Sequence, residues 1–150
     1  MATEESAAEV AARVSRLFVA RKLSADPPAV EQLLDNSGAP TALGMRVSVD
    51  SPDLLPSGVV AEAFGVPENV RIWVEPSRGE LAIRQEDDLV ALIAGLLDET
   101  VVDIAVTYDY EVGMLIRKGG ELTLHEDPLL WTEHRLALIR GTYRRESHWL

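Results

Sequence analysis

Apolar and polar positions alternate along this chain with two different periods, and the switches between them mark out the elements. Ser6-Ala7-Ala8-Glu9 has the spacing of a capping box, and Val10, Val14, Leu17 and Phe18 follow at i, i+4, i+7 and i+8. Arg13, Arg16, Arg21 and Lys22 lie mostly off that stripe. The pattern predicts an amphipathic helix over 6–22 that packs on a core, because Glu4, Glu5 and Glu9 dilute the basic character a membrane-surface helix needs. Asp26-Pro27 predicts an N-cap with proline at the first helical position, opening a short helix through Val30, Leu33 and Leu34 that stops at Asn36-Ser37-Gly38. Residues 44–50 alternate as a strand with Met45, Val47 and Val49 on one face, ended by Ser51-Pro52. Pro56-Ser57 predicts the start of a short helix carrying Val59, Val60, Ala63 and Phe64, with Gly65 as its left-handed C-terminal cap.

The period returns to two at Val70, Ile72 and Val74, leaving Arg71, Trp73 and Glu75 on the opposite face; Pro76 to Gly79 break the chain. Leu89, Leu92, Ile93, Leu96 and Leu97 predict a strongly apolar helix over 86–97, with Glu86, Asp87 and Asp88 in its first turn, where negative charge complements the helix dipole. Three further strands are predicted at 101–107, 112–118 and 121–125. The last two are joined by Gly119-Gly120, a hairpin signal because both positions tolerate φ > 0. Thr132 predicts the cap of a last short helix with Leu136 and Leu138. The expected fold class is α+β: a mostly antiparallel sheet of about five strands with helices packed on one face. No repeat, linker or low-complexity tract interrupts the chain, so residues 1–150 read as a single domain.

Composition narrows the functional classes. The 150 residues are 47% hydrophobic and 26% charged, the balance of a globular chain. The absence of cysteine excludes disulfides, thiolate-bound metals and a cysteine nucleophile. The acidic N-terminus has no apolar core of a signal peptide, and no apolar run reaches bilayer length, so the expected location is the cytoplasm with no membrane partner. A net charge of −11 argues against nucleic acid, whose phosphates need a basic face. The acidity is uneven: residues 51–100 carry three arginines against ten acids. Such a sector serves solubility, or it meets a basic partner whose approach its field would accelerate.

Candidate chemistry is sparse. His125-Glu126-Asp127 with His134 is the one cluster resembling metal ligands, but it lacks the i, i+4 spacing of a zincin helix and Pro128 interrupts it; no metal and no cofactor are expected. No phosphate-binding glycine loop or nucleophile elbow occurs, and adjacent carboxylates at a helix start are usually solvated, so the chain is not expected to be an enzyme. Tyr108-Asp109-Tyr110-Glu111 joins two strands and alternates aromatic with acid. Tyrosine supplies contact area at little entropic cost, and a carboxylate supplies charge-assisted hydrogen bonds. Trp73 and Glu75 extend this candidate partner-binding surface, with Glu86, Asp87 and Asp88 as an outer ring. Arg140, Arg144 and Arg145 form a basic spot, expected to pair with the acidic middle of the chain.

The order of these features resembles the immunity proteins of swarming-inhibition (Sit) toxin systems, third type, from Gly44 to Thr132. The correspondence begins at Gly44-Met45-Arg46-Val47-Ser48-Val49 and continues through Phe64-Gly65, the strand at 70–75 and the Leu-rich helix. It then runs through Tyr108-Asp109-Tyr110-Glu111, Met114-Leu115-Ile116-Arg117-Lys118-Gly119-Gly120, Leu122-Thr123-Leu124 and Trp131-Thr132. The sequence departs from the family pattern in having no evident first strand before Ser6, in Asp109-Tyr110 where the family turn has Asn-Gly, and in His125 where the family has Asn. The resemblance implies a non-catalytic immunity protein that binds and neutralises a cognate protein toxin, expected to be basic, in the cytoplasm of the producing cell. Two other readings stay open on the residues alone: an adaptor module of another pathway, and a small enzyme using carboxylates and His125.

Overall fold

A computed structural model describes residues 1–51, 58–77, 82–108 and 111–149. The described residues fall into two compact units that interleave along the chain. One comprises 5–51 and 70–100, the other 1–4, 52–69 and 101–150. The α+β class is as expected, but the strands divide between two sheets instead of joining one of about five.

In the first unit, α1 (Ala7–Ala20) starts at the predicted capping box: Ser6 accepts from the Glu9 amide, and the Glu9 carboxylate accepts from the Ser6 amide at 2.8 Å. Those bonds to the ionised form, the backbone one foremost, hold the Glu9 carboxyl below its ordinary range. Val10, Val14, Leu17 and Phe18 are buried as their spacing requires. The next helix, α2 (Val30–Leu34), begins later than Asp26-Pro27 suggested, with Ala29 as its cap residue. Pro28 supplies the reason: a residue before proline is pushed out of the α region, so Pro27 cannot open the helix.

Strand β1 (Ala39–Pro40) pairs with β2 (Arg46–Asp50), which pairs antiparallel with β3 (Arg71–Glu75). Val47 lies opposite Val74 and Val49 opposite Ile72, and α1 and α2 pack against β2. The longest helix, α4 (Ala82–Glu99), also packs on α1. Because it begins at residue 82 instead of 86, Glu86, Asp87 and Asp88 stand in its second turn and not, as predicted, at its N-terminus. The dipole interaction expected of them fades beyond the first turn. The early turn went unread because Gln85, 1% exposed, is polar and breaks the apolar period. It is satisfied by the Ser77 amide at 2.8 Å and by donating to the Leu43 carbonyl at 2.9 Å.

In the second unit, α3 (Val59–Phe64) ends on Gly65 at φ 64°, as predicted; its proposed start at Pro56-Ser57 lies outside the described residues. The sheet runs β4 (Ile104–Tyr108), β5 (Val112–Lys118), β6 (Glu121–Leu124) and β7 (Arg144–Arg145), with β8 (His148–Trp149) pairing β5. Strand β5 has paired neighbours and buries Met114 to Arg117 on both faces, which accounts for its continuous apolar run. Gly119 and Gly120 take φ 57° and 84° between Lys118 and Glu121, the two-residue hairpin the sequence predicts. The β6–β7 pairing is parallel. Ala2 bridges Asp103 while Met1 and Thr3 are buried. Thr132 caps α5 (Glu133–Leu136) as predicted.

Candidate functional site

Each unit carries one exposed aromatic surface among the residues singled out from the sequence. In the first unit it is the outer face of the β2–β3 pair. Alternation places Arg46, Ser48 and Asp50 on that face of β2, opposite Glu75, Trp73 and Arg71 of β3. Trp73 is 37% exposed, yet its indole is held by two neighbours. Its Nε1–H donates to Asp50 Oδ2 at 2.9 Å, Asp50 Oδ1 accepts from Arg71 Nε at 3.3 Å, and the Arg71 guanidinium lies 5.2 Å from the ring centroid. One carboxylate therefore orients both an indole and a guanidinium, and the guanidinium stacks on the indole it helps to place. Glu75 is exposed beside them, with Arg46 across the strand. The surface is aromatic and carries both signs of charge.

In the second unit, Tyr108 ends β4 with 59% of its surface exposed, and the Glu111 amide donates to the Tyr108 carbonyl at 3.0 Å before β5 begins. Glu111 is exposed; Asp109 and Tyr110 lie outside the described residues.

The acidic sector resolves into residues with different tasks. Asp98 pairs with Arg21 at 2.6 Å, Arg16 Nη2 stands 3.9 Å from a Glu99 carboxylate oxygen, and Arg13 donates to the Glu99 carbonyl at 3.0 Å. The arginines off the stripe of α1 thus meet the C-terminal end of α4, where cations also complement the helix dipole. Glu86 is exposed and Asp87 half-buried. Asp88 is half-buried near Thr41, and burial is the main cause that raises its carboxyl above the ordinary range. The Thr41 hydroxyl opposes that rise, Asp87 adds to it, and Arg84 counters it. Asp88→Asn is accordingly expected to raise the midpoint of thermal unfolding at neutral pH. A carboxyl with a raised folded-state pKa penalises the fold when ionised, so this gain should vanish as pH falls below the ordinary aspartate value of 3.8. Melting curves across that range check the sign.

Two arginines of the basic C-terminal spot, Arg144 and Arg145, bond within the second unit and not, as expected, to the acidic middle of the chain. Arg144 pairs with Glu121, and Arg145 donates to the Glu126 carbonyl at 3.0 Å. The histidine cluster is also dispersed. His125 is buried with Nδ1 accepting from the Asp127 amide at 3.1 Å, whereas His134 is exposed on α5. Among the described residues, no group of three or more His, Asp or Glu side chains is placed to hold a metal ion. A shallow cleft of about 290 Å³ in the second unit is lined by Phe64, Lys118, Glu121, Thr123 and Glu146, among others, and His125 is not among its lining residues.

Sequence reasoning missed two features. Asp50 reads as the end of a strand, and only the register places it against both Arg71 and Trp73. Leu129, 81% exposed, carries no periodic signal because it lies in a turn.

These observations define an α+β protein in which Trp73 and Tyr108, the described aromatics among the candidate residues, are exposed at the ends or outer face of sheet strands. The chain belongs to the SitI3-like family, whose model matches residues 1–135, and so to the Sit immunity proteins. That match reaches further than the resemblance read from Gly44 to Thr132: it takes in α1, α2 and the N-terminal bridge, and ends inside α5. Comparisons with curated proteins and with solved structures give no match. Among the described residues, no helix is long and apolar enough to cross a membrane.

Proposed function

We propose that this chain binds a cognate protein toxin and neutralises it without catalysis, in the cytoplasm of the cell that produces it. Membership of the immunity family over residues 1–135 is the observation that carries this reading. The two exposed surfaces support it, because tryptophan, tyrosine and arginine contribute most where a few anchors dominate an interface. On this reading Trp73 and Glu75 in one unit, and Tyr108, Asp109, Tyr110 and Glu111 in the other, contact the toxin. Glu86, Asp87 and Asp88 contribute to a field that draws in a basic partner. A net charge of −11 makes such steering effective at low salt.

The test is a protection assay in a host that expresses the cognate toxin, paired with binding kinetics on the purified proteins. The wild-type chain should restore growth and bind in a defined stoichiometry. Asp109→Lys combined with Glu111→Lys should abolish protection, slow association roughly tenfold and flatten its salt dependence, with the circular dichroism spectrum unchanged. Failure of the wild-type chain to bind or protect rejects the function. Unaltered kinetics in the double variant reject this turn as part of the interface.

A further inference from the structure

The turn from Asp127 to Trp131 is braced far more heavily than an exposed loop requires. The Asp127 amide donates to buried His125 Nδ1 at 3.1 Å, and Asp127 Oδ1 accepts from the Leu129 amide at 2.8 Å. The Trp131 amide donates back to the Asp127 carbonyl at 3.3 Å, while the Trp131 side chain is buried. Beneath the turn, Arg135 is only 3% exposed, and its guanidinium donates to the Leu130 carbonyl at 3.0 Å and reaches the Leu129 carbonyl at 3.5 Å. Burying a guanidinium is costly unless its donors are used, and here they hold two consecutive carbonyls of a surface turn.

What this bracing presents is Leu129, 81% exposed and next to exposed Pro128. A single exposed leucine is ordinary. An exposed leucine on a backbone fixed by one buried arginine, one buried histidine and a carboxylate cap is a knob whose ordering entropy has been removed in advance, which is the condition for a strong anchor. Its neighbours along the chain include the exposed acids Glu126, Asp127 and Glu133.

We propose that Leu129 is a binding anchor that enters a leucine-sized apolar pocket on the toxin, and that the pocket is rimmed by basic side chains complementary to Glu126, Asp127 and Glu133. This rests on the reading of the chain as a toxin-binding immunity protein and assigns it a contact in the second unit. The neighbouring acids set the sign of the pocket's rim, and the apolar tip sets its interior.

The experiment measures dissociation of the purified cognate toxin from the wild-type chain, Leu129→Ala and Leu129→Met, with thermal unfolding and molar mass recorded for each. Truncation to alanine should speed dissociation roughly tenfold to thirtyfold, leaving the unfolding midpoint and molar mass as in the wild type. Methionine, apolar and of similar volume, should restore most of the lifetime. Wild-type binding with an unchanged rate for Leu129→Ala overturns the anchor and leaves the proposed function standing. A wild-type chain that does not bind the toxin removes both. Conversion of a wild-type dimer to a monomer by Leu129→Ala, with toxin binding intact, also overturns the proposal, in favour of a second copy as the occupant.

Discussion

Gly95→Leu is expected to lower the stability of the first unit by about 3 kcal/mol or more, seen as a fall of roughly 6–12 °C in its unfolding midpoint. Gly95 lies in the interior of α4, where glycine ordinarily costs about 1 kcal/mol relative to alanine. A helix of this length keeps that cost only where something else needs the space. A Cβ at position 95 would stand 2.7 Å from Leu17 Cδ2 and 3.0 Å from Arg21 Nε. Leu17 is 1% exposed and packed in the stripe of α1, so it has nowhere to withdraw, and Arg21 is committed to Asp98. Overpacking of this kind costs about 1–3 kcal/mol even for one added methyl, which outweighs the helical gain. Gly95→Ala should therefore be neutral to mildly destabilising, and the larger side chain should force α1 and α4 apart and break the Arg21–Asp98 pair. Thermal and urea unfolding of both variants measure this order. A leucine variant as stable as the wild type would mean that the two helices do not approach at Gly95.

Trp73→Ala is expected to weaken toxin binding about 30-fold, corresponding to ~2 kcal/mol, while lowering stability by no more than about 1 kcal/mol. The asymmetry follows from geometry. The indole is exposed enough that the sheet loses little packing when it is removed, but its position is fixed by Asp50 and Arg71 before any partner arrives. Its removal also takes the ring away from Arg71, whose guanidinium it helps to position. Trp73→Phe separates the contributions: it keeps an aromatic face for a partner and for Arg71, and gives up the hydrogen bond to Asp50. An intermediate loss for phenylalanine, measured by titration calorimetry against the purified toxin, is the expected result. Equal binding by all three chains would exclude the β2–β3 face from the interface.

Much of the secondary structure was legible because its signals are local. The capping box at Ser6 and Glu9, the Gly65 cap and the Gly119-Gly120 hairpin each depend on backbone geometry set within a few residues, and each stands where it was predicted. The errors have separate causes, one local and one tertiary. Pro28 overrode a start signal at Pro27, and buried Gln85 hid the first turn of α4 behind a polar residue that only tertiary hydrogen bonds could satisfy. The two short C-terminal strands carry no periodic signal, since two residues show no alternation.

The candidate surfaces were legible in part. Trp73, Glu75, Tyr108 and Glu111 are exposed as their positions in strands and turn implied. The charge pattern misled in one respect: the acids at 98 and 99 looked like part of an open acidic face, and they meet arginines of α1. Linear spacing shows which side chains share a face of one element, but not which distant element supplies their counterions.

By itself, then, the sequence determined the α+β class, the core stripe of α1, the caps and the central hairpin, because period and backbone preference act over a few neighbouring residues. Tertiary structure alone decided the division of the strands between two sheets, the union of Asp50 with Arg71 and Trp73, and the bracing of Leu129 by Arg135. Those depend on register and on buried polar groups finding partners across the fold, and such pairings become favourable only once water has been excluded around them.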